Sequence, residues 1–266
     1  AREAEERRRT EAKTAQAEAE KRKQREKLVA EQESLRLQAI PLCQAHKYED
    51  AKQLFAGMAQ SRNKEFSEWA RAKVACIDLA GKAYQLVFNT KGKLKGTRVS
   101  LSGKSGKWYV ADIGRRALRL QAKIKRFDQG KEVSQLESEK VALPDVPDKV
   151  MWELCSASWA KDGGDEAELK LYFGAYLVSR ASALSTAKNQ LTESGRDADV
   201  EPILKEISAL ASIVRARQWK DALERLQLYV NSGEEKSAKR FSALLKQRFP
   251  AEFSEAEEKI KGMLDQ

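Results

Sequence analysis

Between Lys91 and Lys131 the sequence carries thirteen Lys and Arg residues against two acids, Asp112 and Asp128, a local charge of +11. The whole 266-residue chain nets +10, so everything basic about it sits in this one stretch. Cations at this density, interleaved with Trp108, Tyr109 and Phe127, are the ingredients for holding single-stranded nucleic acid by backbone attraction and base stacking. Eight of them form the candidate anion or nucleic-acid contact set: Lys104, Lys107, Arg115, Arg116, Arg119, Lys123, Lys125 and Arg126. The dense aromatic signature of sheet-based RNA readers is missing. Adjacent Trp108 and Tyr109 must also face opposite sides of a strand, so one of them belongs to the core. Three readings stay open: a solvated sheet with core aromatics, a nucleic-acid surface, or a surface for another anionic partner such as membrane headgroups or an acidic protein.

Other residue types that carry chemistry do not assemble into a site. Ser102-Gly103-Lys104-Ser105 looks like the end of a phosphate loop. That motif needs a glycine where Arg98 stands and a helix to follow, whereas Lys107-Trp108-Tyr109-Val110 reads as strand. The Gly-rich, His-Arg-Asp and Asp-Phe-Gly loops of a protein kinase are absent. His46 is the single histidine, has no nucleophile motif beside it, and reads as a surface or capping residue. Cys43, Cys76 and Cys155 form no CxxC pair, which argues against a zinc site or disulfide framework and for packing. Asp162, Asp165 and Glu166 read as a helix entry, where acids meet the positive dipole end. The expectation is therefore no catalytic residue, no metal, no cofactor and no small-molecule substrate.

Four blocks must position the basic stretch. Residues 1–40 are rich in Ala, Glu, Lys, Arg and Gln, and 1–27 hold no Leu, Ile, Val, Met or aromatic residue, so this tract reads as a charged helical stalk. Leu28, Leu35 and Leu42 recur at spacing seven, either a short self-association seam or the joint to the body. Residues 41–90 read as a helical hairpin, one helix carrying Tyr48, Ala51, Leu54, Phe55 and Met58, the second starting near Asn63. Residues 91–146 form a small basic β unit of four short strands: one at Thr97–Leu101, one from Lys107, one alternating from Leu118 to Lys125, and a last short one at Val141 and Leu143 after a charged loop. Residues 147–266 read as a bundle of antiparallel helices, including separate helices at 199–217 and 219–230. "KYEDAKQLF" (47–55) and "QWKDALERL" (218–226) share an aromatic-x-Asp-Ala rhythm like part of a tetratricopeptide helix, without that repeat's full period. The fold class expected is α+β, mainly α: antiparallel helical hairpins, tetratricopeptide-like in part, flanking a four-stranded antiparallel β unit behind a charged stalk.

The order of parts resembles the non-catalytic C-terminal regions of large bacterial serine/threonine protein kinases. Leu143-Pro144, followed by Leu169, Phe173, Leu177 and Ala187 in "AELKLYFGAYLVSRASALSTAKNQL" (167–191), matches their loose rhythm, with Asp145 after the proline where the family has its acid before it. The resemblance covers most of 30–230 and implies a scaffold or sensing role, with a membrane span outside this chain and an extracytoplasmic setting. Three unpaired cysteines point to a reducing compartment instead. No run of 18 apolar residues and no signal peptide occur, and the opening at Ala1 within a charged run suggests a piece of something longer. The expectation is a non-enzymatic interaction, scaffold or sensing module with protein partners, and the alternative is a nucleic-acid-binding module using 91–131.

Overall fold

A computed structural model describes the backbone of residues 2–104, 106–128 and 131–264, and the side chains among them except at 2–13, 126–128, 131–133 and 162. The class is α+β and mainly α, with ten α-helices and one four-stranded antiparallel sheet among the described residues. The chain forms two compact units, Ala1–Glu206 and Ile207–Gln266. Among the described residues no helix is long and apolar enough to cross a membrane.

The first unit opens with α1 (Arg2–Gln44), whose side chains from Thr14 to Leu35 are mostly exposed before Arg36, Ala39, Ile40 and Cys43 turn into the core. Leu28, Leu35 and Leu42 of the spacing-seven set are half-buried. Helices α2 (Tyr48–Ala56) and α3 (Lys64–Asn89) form the expected hairpin. Asn63 caps α3, its side chain accepting the Phe66 amide at 3.0 Å. Left-handed Gly163 (φ 69°) ends α4 (Asp148–Asp162), and the Asp165 carboxylate accepts the Ala167 amide to start α5 (Glu166–Ser179). Every residue of α5 from Leu171 to Ser179 is buried, which is why its apolar residues show no single stripe. At Gly174 an added Cβ would lie 2.6 Å from Leu191 Cγ, so only glycine lets α5 meet α6 (Leu184–Glu193) at this distance.

A buried ionic knot ties α1, α3 and the start of α7 (Asp197–Asn231) together. The Glu206 carboxylate accepts the Arg36 guanidinium through both oxygens, Lys73 Nζ at 2.6 Å and Trp69 Nε1 at 3.2 Å. Arg36 also lies over the Trp69 ring, 5.2 Å from its centroid. Burial acts to raise the Glu206 pKa, but Lys73 and Arg36 outweigh it and hold the carboxyl below its ordinary range.

The sheet runs β1 (Arg98–Val99), β2 (Trp108–Ile113), β3 (Ala117–Asp128), β4 (Lys131–Ala142), each antiparallel to the next. Val99, Trp108, Val110, Ile113, Leu118, Leu120 and Ala122 fill its inner face. The Ser100 amide donates to Glu153 of α4 at 2.7 Å, anchoring the β1 end. β2 pairs with β3 only as far as Ala122, so residues 123–128 of β3 pair with β4 alone, as a two-stranded ribbon.

Three elements differ from the sequence reading. The charged loop before Val141 is strand β4, because β3 supplies a twelve-residue template for it. The strand expected to end at Leu143 stops at Ala142, where Leu143–Asp145 turn as a 3-10 segment with Pro144 at its start. The helices read as 199–217 and 219–230 are the single α7, since neither glycine nor proline stands at the junction 217–219; Pro202 lies near the start of α7.

In the second unit, the later part of α7, α8 (Glu235–Arg248), α9 (Pro250–Glu255) and α10 (Glu257–Leu264) enclose Leu226, Ala238, Leu245, Phe249, Phe253, Ile260 and Met263.

Candidate functional site

The pleat of β3 separates its residues by face, as the alternation from Leu118 to Lys125 required. Leu118, Leu120 and Ala122 go inward; Arg119, Gln121, Lys123 and Lys125 are exposed. Cross-strand pairing then builds the rest of the outer face. Arg98, Tyr109, Gln121 and Ser138 form one transverse row, Asp112, Arg119 and Lys140 a second, Lys123 and Leu136 a third, and Lys125 and Ser134 a fourth. A bulge between Val110 and Asp112 sets Asp112 opposite Arg119. Among the described side chains, five cations therefore share this face with one acid. Arg98, Arg119, Lys123 and Lys140 have no ion-pair partner among the described residues. Of the β4 acids with described side chains, Glu137 and Glu139 stand opposite inward Ala122 and Leu120, on the other face.

The eight candidate residues thus do not form one set. Arg119, Lys123 and Lys125 share the outer face. Lys107 is exposed one residue before β2, and Arg115 and Arg116 are exposed in the β2–β3 turn, where the Arg116 carbonyl accepts the Leu143 amide at 3.1 Å. Lys104 is already engaged, ion-paired with Glu139 and 5.4 Å from the centre of the Trp108 ring. The Arg126 side chain, like that of Phe127, lies outside the described residues. Gln121 joins the face by the alternation of β3, and Arg98, Lys140 and Leu136 join it although no alternation marked them. Their positions follow from register, and β4 has apolar residues of both parities (Leu136 against Val141), which hides its alternation.

Trp108 and Tyr109 resolve as alternation demands: Trp108 is 1% exposed and Tyr109 40%. Tyr109 is singular in another way. Every other aromatic residue with a described side chain meets a second ring or a cation, and among the described residues Tyr109 meets neither.

The groups best suited to acid–base or nucleophilic work are held in packing roles. The three cysteines are buried and free. Burial pushes Cys43 up to about 11 and Cys76 and Cys155 to about 12, far from the thiolate range of reactive cysteine. Of the two readings for His46, capping holds and surface does not. Its backbone closes the end of α1, the His46 amide donating to the Cys43 carbonyl and the Lys47 amide to that of Leu42. His46 takes a left-handed φ of 58° after α1, is half-buried, and stacks on Tyr84 at 4.1 Å. Its Nε2–H donates to the Leu143 carbonyl and its Nδ1 accepts the Tyr48 hydroxyl, both at 3.1 Å, which fixes the neutral tautomer. Beside it Arg180 donates to the Gln44 and Pro144 carbonyls, so the pair fastens the sheet's exit turn to the end of α1.

Burial, helped by the Arg180 charge and opposed by the Leu143 carbonyl, holds His46 down at about 4. The unfolded chain, with the ordinary 6.5, takes up the proton first. Stability from this site is therefore complete above about pH 6.5 and is lost as pH falls towards 4, by about 1–2 kcal/mol after discounting for partial exposure. Because the histidine is unique, its ring-proton NMR signal should titrate with a midpoint near 4; a midpoint close to 6.5 would show that the brace does not hold.

Two concavities offer less. The groove of about 520 Å³ in the second unit mixes Asp221 with Arg225 and Arg248 around Phe241 and Phe249. The hollow of about 370 Å³ beside His46 mixes Lys47 with Glu49, Asp50 and Asp78. Neither presents one sign of charge. No protein-family model, curated protein or solved structure matches the chain.

Proposed function

We propose that this chain is a non-enzymatic interaction module that holds an anionic polymer on the outer face of its sheet. The observation that carries the reading is the sorting of charge by the pleat. Among the described side chains, four cations without an ion-pair partner and Lys125 share one solvated face with a single acid, while Glu137 and Glu139 of the neighbouring strand are on the reverse. A solvated sheet needs no such sorting, because surface charges of mixed sign keep it soluble equally well. The helical parts then act as the frame that carries the face. This agrees with the accessory role in a larger bacterial signalling protein that the kinase-region resemblance implies, and it leaves protein partners to the other surfaces.

The reading is tested by salt dependence. A polyanion gripped here releases counterions, so its affinity falls linearly with salt on a log–log plot. Fluorescence anisotropy with a labelled single-stranded oligonucleotide, from roughly 50 to 200 mM salt, should give such a slope. Arg119→Gln with Lys123→Gln should lower that slope by about 1.4, or about 0.7 per lost contact. Binding that is absent at roughly 50 mM salt, or a slope that the double variant leaves unchanged, defeats the proposal.

A further inference from the structure

We infer that the polymer held on this face is single-stranded nucleic acid, with a base stacked on the Tyr109 ring; this inference rests on the proposed polyanion-binding role of the face. Exposed tyrosine is ordinary on a strand, where aromatic residues are favoured. What is not ordinary is its surroundings. Its cross-strand neighbours are Arg98 on β1 and Gln121 on β3, and its diagonal neighbours on β3 are Arg119 and Lys123. On a sheet, direct neighbours have Cβ atoms about 5 Å apart and diagonal ones about 7–8 Å. Three cations without acid partners thus ring one aromatic side chain, yet none of them rests over it, and it forms no hydrogen bond among the described residues.

Each part of this arrangement has one use in gripping a nucleotide. The ring offers a π face, which any base can stack on. Arg98, Arg119 and Lys123 flank it as cross-strand and diagonal neighbours, where they can take the phosphates of a strand whose base stacks on the ring. Gln121, in the same transverse row, supplies an amide donor and acceptor beside the ring for a base edge. Leu136, 63% exposed opposite Lys123, places a second apolar side chain on the same face, two strands from Tyr109. A duplex keeps its base faces inside the stack and cannot use the ring. An acidic protein or a phosphate chain would gain from the cations but not from Tyr109.

The experiment compares a dT12 oligonucleotide with a twelve-residue abasic oligomer, which keeps the phosphates and removes the bases, on the whole chain by anisotropy. The expected result is that dT12 binds about tenfold more tightly than the abasic strand, from stacking worth about 1–3 kcal/mol per base. Tyr109→Ala should remove that difference and leave abasic binding unchanged, while Tyr109→Phe should retain it. Because Tyr109 is exposed, thermal melting of both variants should match the parent. Equal affinity for the two oligomers, or a difference that Tyr109→Ala does not touch, overturns base stacking while the polyanion reading stands. If neither oligomer binds, both fall and an acidic protein becomes the partner to seek.

Discussion

Glu206→Ala is expected to destabilise the first unit by about 3–5 kcal/mol, the cost of leaving buried charges without their counter-ion. At about 2–4 °C per kcal/mol for a body of this size, the melting temperature falls by roughly 10 °C. The magnitude follows from how many donors the carboxylate serves. Arg36, Lys73 and the Trp69 indole all converge on it, and the first two carry charge into a site with little access to water. Glu206→Gln keeps the shape but not the charge, so it too should cost several kcal/mol. Removing the whole knot at once, with Arg36→Met, Lys73→Met and Glu206→Leu, should cost far less than Glu206→Ala alone, since no buried ion then remains. Chemical denaturation of the three proteins decides the matter: a single-variant loss under about 1 kcal/mol would mean that water reaches the site and solvates the cations. Acid acts in the same direction. The Glu206 carboxyl lies below its ordinary 4.5, so its contribution is complete above that value and disappears as pH falls through the lower folded pKa.

This knot shows what the sequence leaves hidden. Arg36 and Glu206 are 170 residues apart, and nothing near either one marks it as buried. Glu206 reads as one more solvated acid on an amphipathic helix. Local signals performed well where a single period governs several residues in a row. The alternation from Leu118 to Lys125 placed the side chains of that stretch on their proper faces, and Asn63 announced the start of α3. They failed where a neighbour decides. β4 exists because β3 extends far enough to template it, and its own apolar residues are split between faces. The outer face suffered most from this, since Arg98, Leu136 and Lys140 enter it only through cross-strand register. Counting cations along 91–131 found the region but grouped Lys104, which the fold engages with Glu139, with Arg119 and Lys123, which it leaves unpaired.

The second large effect is expected at Trp108, the residue beside Tyr109 that points the other way. It is among the largest fully buried side chains, 1% exposed, with Val99 across from it on β1 and the small Ala122 on β3 making room for the indole. Trp108→Ala should cost about 3–5 kcal/mol, transfer and cavity together. Trp108→Phe should cost no more than about 1.5 kcal/mol, because the indole N–H has no partner among the described residues and its removal relieves an unmet donor. Set against Tyr109, this pair separates structure from recognition within a single dipeptide. Trp108→Ala lowers the melting temperature and, by loosening the platform beneath Arg119 and Lys123, weakens every anionic polymer alike. Tyr109→Ala leaves the melt where it was and weakens only polymers that carry bases. A Trp108→Ala protein that melts like the parent would mean that the inner face of the sheet contributes little packing, and the flat, fixed array of cations argued for here would then have nothing to hold it in place.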